Sequence, residues 1–121
     1  MKVIAFNGSP RKDGNTFRLI NKAFESLKKE GIETELVQVG GKLIHGCKAC
    51  YACFNKKNGK CVQDDDIVND CIEKMRQAEG IILASPTYFA DLTPELNRRE
   101  HGLVDEEIGV KPETNVWHWT C

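Results

Sequence analysis

Apolar residues in this chain fall into short runs and helical stripes that alternate along its first eighty-five positions. Lys2 to Phe6 is a brief apolar run containing Val3, Ile4 and Phe6, too short for a helix and suited to a buried strand. It stops at the turn formers Asn7-Gly8-Ser9-Pro10. From Phe17, apolar residues recur at Ile20, Phe24 and Leu27, with Lys22, Glu25, Lys28 and Lys29 mainly on the other side. Asn15 or Thr16 is suited to cap that helix and Gly31 to stop it. Ile32 to Val39 mixes charge with β-branched residues, as a strand near a sheet edge does, and Gly40-Gly41 ends it. A second helical stripe, Ile67, Val68, Cys71, Ile72 and Met75, follows a cap within Asp64-Asp65-Asp66. Gly80 to Ser85 is apolar on both faces, the mark of a central parallel strand. Strand, helix, strand, helix, strand is one half of a doubly wound α/β sheet, expected in the order 2-1-3.

Composition narrows the functional classes. At 121 residues and 40% apolar, the chain is one domain with enough material for a core. Seventeen Lys and Arg against 18 Asp and Glu give a net charge of −1, which argues against a nucleic-acid or membrane-surface partner held by bulk charge. No apolar run approaches membrane-spanning length, and the N-terminal run breaks at Asn7, so a signal peptide is not expected and a cytoplasmic location is. In that compartment six cysteines are better read as metal ligands or redox groups than as disulfides.

The loop after the first strand is the first candidate site. A strand, a polar glycine-containing loop and a helix start place backbone N–H groups around an anion. Ser9, Asn15 and Thr16 add side-chain donors there, and Arg11 or Lys12 adds charge. The loop is not a Walker A, because Gly8 and Gly14 stand one residue too far apart and Asn15 occupies the lysine position. No G-x-G-x-x-G dinucleotide fingerprint occurs. What fits is the single terminal phosphate of a flavin mononucleotide; the alternative is an ordinary βα turn without a ligand. With G-S-P-R followed by G-N-T, these residues resemble the flavodoxin-like NAD(P)H-dependent FMN reductases.

Ser85-Pro86-Thr87-Tyr88-Phe89 follows the third strand. In an open parallel sheet of this order, ligands bind beyond the carboxyl ends of strands one and three, where the winding reverses. That rule alone sets this loop beside the first. Pro86 stiffens the turn, Thr87 can bond a heterocycle's edge, and Tyr88 or Phe89 can cover a flat ring. A proline turn with both aromatics folded into the core is the competing reading. The resemblance implies the ring-binding role, since S-P-x-Y-F is what that family sets against the isoalloxazine.

Cys47, Cys50 and Cys53, with Cys61 after seven further residues, make a C-x2-C-x2-C-x7-C pattern. Three cysteines at every third position can close around iron and sulfide, as in ferredoxins. Redox-active thiols and a four-cysteine zinc site remain open alternatives. The spacing resembles the compact motif of the iron–sulfur flavoproteins, a branch of the same fold, and so implies a 4Fe-4S cluster on these four residues. Cys71 lies on the apolar stripe of the second helix and reads as core, Cys121 is no candidate, and His45 reads as a loop residue. The three aspartates suit a helix start without any ion.

The resemblance covers residues 1 to about 96. Thr93-Pro94-Glu95-Leu96 begins the next helix of the family pattern, whereas residues 97–121 are polar, end in Trp117-His118-Trp119, and do not read as the missing half. The expectation is therefore a flavodoxin-like domain cut short after its third strand, through an altered or shortened C-terminus; a natural short variant whose tail packs over the sheet edge is the alternative. The resemblance implies FMN as cofactor, NAD(P)H as co-substrate, and a quinone, other small molecule or electron carrier as acceptor, with a homo-oligomer completing the site. No side chain is needed as nucleophile, so no catalytic residue is named. An electron-carrying iron–sulfur flavoprotein and a non-catalytic fragment are the competing functional readings.

Overall fold

The computed structural model describes residues 1–96, and residues 115–120 as backbone. Its sheet has the order β2-β1-β3-β4, with β1 at Lys2–Asn7, β2 at Glu33–Gln38, β3 at Gly80–Ser85 and β4 at Asn115–Thr120. All three pairings are parallel. Helices α1 (Asn15–Lys29), α2 (Ala52–Lys56) and α3 (Val68–Gln77) complete the elements. The doubly wound parallel arrangement with order 2-1-3 is the expected fold, with β2 at the edge and β3 at Gly80–Ser85 as read from the sequence.

Alternation along β1 and β3 builds two apolar layers. Val3, Ala5, Ile82 and Ala84 face Ile20 and Phe24 of α1. Ile4, Phe6, Ile81 and Leu83 face Cys71 and Met75 of α3, closed by Val39, Ala78 and Leu96. Cys71 is core, as its helical position predicts. Each large side chain buried here contributes on the order of 1.5–3 kcal/mol relative to exposure.

Helix termini depart from the simple cap reading. The first helix begins at Asn15, two residues before its apolar stripe, and its N-cap is Gly14 in an extended conformation with no side-chain cap bond. Asn15 and Thr16 are therefore first-turn residues instead of caps. At the other end Gly31 has φ +73°, and the Ile32 and Gly31 N–H groups donate to the carbonyls of Leu27 (3.1 Å) and Lys28 (3.0 Å), a Schellman stop. At α3 the N-cap is Ile67, without a side-chain cap bond, so the cap expected within the aspartate run falls one residue later; Asp66 Oδ1, just ahead of it, still accepts the Val68 N–H at 2.9 Å.

The expectation that no strand follows β3 needs correcting. Asn115–Thr120 pairs with Gly80–Ser85 along its whole length. A strand as apolar as β3 cannot leave one row of backbone groups unpaired inside the protein. Val116, Trp117, Trp119 and Thr120 are strand formers, and this propensity outweighs the polar character of the preceding segment. Residues 97–114 and 121, which make up the rest of the expected atypical tail, lie outside the described residues.

Charge links the layers at one point. The Glu35 carboxylate on β2 accepts from Lys2 of β1 at 2.7 Å and is also paired with Lys74 of α3. Hydrogen bonding to Lys2, then to Lys74, holds the Glu35 carboxyl below the usual glutamate range. A lowered carboxyl pKa contributes stability above the unfolded-state value of about 4.3 and loses it as pH falls through the folded-state value. Glu35→Gln is therefore expected to lower the stability read from urea unfolding at pH 7 by no more than about 1 kcal/mol, because solvent screens the group. The gap between the two proteins should close in acid; a gap constant from pH 7 to pH 3 would refute the ion-pair account.

Candidate functional site

Parallel neighbours β1 and β3 end at the same level, with Asn7 opposite Ala84. The Gly8 N–H donates to the Ala84 carbonyl at 2.7 Å and ties the two following loops together. Ser9, Arg11, Gly14, Asn15 and Thr16 from the first loop and Pro86 and Tyr88 from the second line one cleft of about 220 Å³. Six of the eight residues expected there, Ser9, Arg11, Asn15, Thr16, Pro86 and Tyr88, are thus brought together, and Gly14 joins them. Gly14 carries no capping side chain, so no side chain of the N-cap residue covers the first turn of α1 on the side of the cleft, which Gly14, Asn15 and Thr16 line. The positive end of the helix dipole favours an anion there.

The loop is shaped from behind by side-chain amides. The buried Asn7 accepts the Ser9 N–H on Oδ1 at 3.0 Å and donates from Nδ2 to Gln38 Oε1 at 2.9 Å. Gln38 Nε2 in turn donates to the Ser9 carbonyl at 2.7 Å and to the Gly40 carbonyl at 2.9 Å. Ser9 Oγ accepts the Arg11 N–H at 3.2 Å. The end of β2 lies so close that a Cβ on Gly40 would overlap the Ser9 carbonyl group. On the opposite side a Cβ on Gly8 would come within 2.8 Å of Thr93 Oγ1 and 3.2 Å of the Ala84 carbonyl oxygen. Sequence reasoning took Gly40 only as a strand stop and passed over Asn7 and Gln38; a polar pair at the ends of two adjacent strands was the available signal.

The second wall is a tight turn. Tyr88 and Asp91 exchange backbone hydrogen bonds at 2.7 and 3.1 Å, with Phe89 and Ala90 at φ 51° and 65° between them. Two left-handed residues in succession turn the chain sharply and leave the Phe89 side chain fully exposed. Thr87 and Phe89, both expected against the ring, are consequently not among the residues lining the cleft. Behind the turn, Ser85 Oγ accepts the Thr93 N–H at 2.9 Å, while the buried Thr93 Oγ1 has no hydrogen-bond partner among the described residues.

The cysteines lie on a separate loop. Cys47 and Cys50 are exposed, Cys53 sits on the short α2, and Cys61 follows a turn at Gly59. Ala49 and Tyr51 adopt left-handed conformations between the first three, and the Ala49 N–H donates to Cys47 Sγ at 3.4 Å. Cys61 is held more firmly: Asn69 Oδ1 accepts its N–H at 2.8 Å and Asn69 Nδ2 donates to its carbonyl at 3.0 Å. Two turns further along α3, Arg76 donates to the Gly59 carbonyl at 2.8 Å. The neck of the loop is closed by His45, which pairs with Asp65 at 3.1 Å and donates its N–H to Asp66 at 3.2 Å. The aspartates thus serve protein groups, as their position at a helix start suggests. Among the described residues, no three of His, Cys, Asp or Glu converge as a metal centre would require. The donor chemistry of Cys47, Cys50, Cys53 and Cys61, four thiols within fifteen residues, nevertheless suits iron and sulfide. A larger open hollow of about 530 Å³ beside Cys61 is lined by Lys56, Lys60, Asp64 and Glu73, and this mixture of signs selects no ligand class.

Crowding at Gly40 yields a direct test. Gly40→Ala is expected to lower stability by about 1–3 kcal/mol, since the overlap is with backbone that has nowhere to move. Thermal or urea unfolding measures it, and an unchanged midpoint would show that the β2 end does not press on the loop.

No helix among the described residues is long and apolar enough to cross a membrane. An iron–sulfur flavoprotein of Methanocaldococcus jannaschii is 44% identical over 96 residues, 79% of this chain and 48% of that protein. One from Methanosarcina thermophila is 41% identical over 96 residues, 79% of this chain and 49% of that protein. This chain therefore spans about half the length of the curated relatives it matches. In fold it is similar to RosB, solved with the bound intermediate 8-demethyl-8-formylriboflavin-5'-phosphate, at a TM-score of 0.72 and 24% identity, covering 100% of this chain and 52% of that one. The model of the NADPH-dependent FMN reductase family matches residues 1–98, the same segment that carries both loops of the cleft, and the chain belongs to that family.

Proposed function

We propose that this chain forms the FMN-binding part of an oxidoreductase that passes reducing equivalents from NAD(P)H through flavin to a small acceptor such as a quinone. The observation that carries this reading is the single cleft formed by an uncapped helix start, Ser9, Arg11 and Asn15 on one side and Pro86 and Tyr88 on the other. Its donors suit a dianionic phosphate ester, and one aromatic wall suits the edge of a flat ring. When bound, FMN supplies hydride and electron transfer, chemistry that the protein orients and tunes.

The chain's own residues divide that work. The first-turn amides, Ser9, Asn15 and Thr16 bind the phosphate through hydrogen bonds, and Arg11 adds a charge-assisted one. Pro86 and Tyr88 limit where the ring lies, while Thr87 and Phe89, outside the lining, stay free to meet the acceptor or another subunit in a homo-oligomer. No side chain is required to hold a proton covalently or to act as nucleophile.

A second reading has specific support. The curated relatives are iron–sulfur flavoproteins, and the Asn69 bonds fix Cys61 on α3. In that reading Cys47, Cys50, Cys53 and Cys61 would hold a 4Fe-4S cluster, which would supply one-electron transfer chemistry.

The test is an absorbance spectrum of protein purified without oxygen, with flavin and iron assayed on the same sample. Structured flavin bands are expected, and a colourless protein that takes up no added FMN would refute the proposal. Arg11→Met should weaken FMN binding about tenfold, the loss of one charge-assisted hydrogen bond, read by flavin fluorescence. Cys50→Ser should abolish iron and sulfide while leaving flavin in place. Unchanged metal content together with unchanged NAD(P)H oxidation in that variant would eliminate the cluster.

A further inference from the structure

We propose that Gln38, at the end of edge strand β2, is the positioning residue that gives the cleft its selectivity for a phosphorylated flavin over the unphosphorylated one. The inference rests on the FMN reading above and adds a residue outside both loops of the site.

Gln38 has no place among the residues lining the cleft, yet its side chain makes three hydrogen bonds to the structure that shapes it. Its Nε2 donates to the Ser9 carbonyl at 2.7 Å and to the Gly40 carbonyl at 2.9 Å, and its Oε1 accepts from Asn7 Nδ2 at 2.9 Å. Both amide protons and the carbonyl oxygen are thus engaged. The edge position of β2 makes this possible, because Gln38 pairs in register with Asn7, the last residue of β1. Two facing amides at the ends of adjacent strands then both reach the backbone of Ser9, at the first turn of the loop.

The consequence is electrostatic. Ser9 lines the cleft, and a carbonyl oxygen has the wrong sign for an anion wherever it faces one. Bonded to Gln38, that oxygen is held by the end of β2, whose Gln38 is not among the lining residues. Asn7 Oδ1 meanwhile accepts the Ser9 N–H. The peptide carrying Ser9 is therefore clamped at both ends, which sets where Ser9 Oγ sits beside the Arg11 N–H and the start of α1. Preorganised donors bind a dianion without first paying to reorient. Loss of the Gln38 amide lets the Ser9 carbonyl swing and leaves Asn7 Nδ2 and two carbonyls without this partner. A phosphate feels that change strongly, whereas a flavin ring and ribityl chain feel it little.

The experiment compares FMN and riboflavin binding to the full chain freed of flavin, by fluorescence quenching, in wild type and Gln38→Met. Methionine matches the length of glutamine and makes none of the three bonds. Wild type should prefer FMN at least tenfold. Gln38→Met should lose about tenfold of that preference while its riboflavin affinity stays within about threefold, since one hydrogen bond's worth of lost order at the phosphate loop, out of the three bonds removed, is about that much. A folded Gln38→Met with the wild-type preference overturns the assignment, as does an equal loss for both ligands, which would mark a merely structural role. If Gln38→Met does not fold, Gln38→Asn keeps the amide but falls short of the Ser9 carbonyl, and the same criteria apply. A wild-type protein that binds neither ligand overturns the FMN reading itself, and that result is distinct from every variant outcome.

Discussion

Parallel pairing between β1 and β3 is the constraint on which the rest of this molecule depends. Seventy-odd residues separate the two strands, yet Asn7 lies opposite Ala84 and Gly8 bonds directly to the Ala84 carbonyl. The chain leaves β1, packs α1 on one face, and returns through β2 at the edge; it then places α3 on the other face before entering β3. Right-handed crossovers allow that reversal only if the connections on either side of β1 diverge. The divergence opens a crevice at the carboxyl ends of the two strands, and both loops of the cleft lie in it.

Polar burial is concentrated at the same end of the sheet. The buried polar side chains among the described residues are Asn7, Ser9, Thr16, Ser85 and Thr93, all from the ends of β1 and β3 and the segments that follow them. Such groups are costly unless hydrogen-bonded. Asn7 and Ser85 meet that cost by bonding the backbone of Ser9 and Thr93. Thr93 Oγ1, buried beside Gly8 and without a hydrogen-bond partner among the described residues, is the exception. A core this apolar elsewhere has no structural need for five buried polar residues in one place, and local departures of this kind are expected where a fold carries a site.

The cysteine loop is held by different means from the cleft. It has no strand and only the short α2, and what order it has comes from polar ties to α3 and its cap: His45 to Asp65 and Asp66, Cys61 to Asn69, Gly59 to Arg76. These ties secure the entry and exit of the loop and one thiol. The segment bearing Cys47, Cys50 and Cys53 relies on left-handed turns at Ala49 and Tyr51, conformations that cost energy for residues with a Cβ. Strain of that sort is retained where something other than packing requires the geometry.

How much of this was legible in the sequence follows from the range over which each force acts. Apolar periodicity is local, and it determined β1, the two long helices, the edge character of β2 and the burial of Cys71 and β3. The two loop motifs were legible too, because the winding rule converts their positions after strands one and three into adjacency. Decisions between distant segments were not. Gly14 displaced Asn15 and Thr16 from the cap because the loop's path, not cap propensity, set where the helix begins. Asn115–Thr120 became a strand because β3 had an unpaired edge to satisfy. Phe89 turned outward because two left-handed residues reverse the chain beside it. Gln38 and Gly40 joined the site only through the register of β2 on β1. Sequence alone specified which segments bury apolar surface; contact between segments far apart in the chain, with the hydrogen bonds and close approaches it imposes, was decided by tertiary structure.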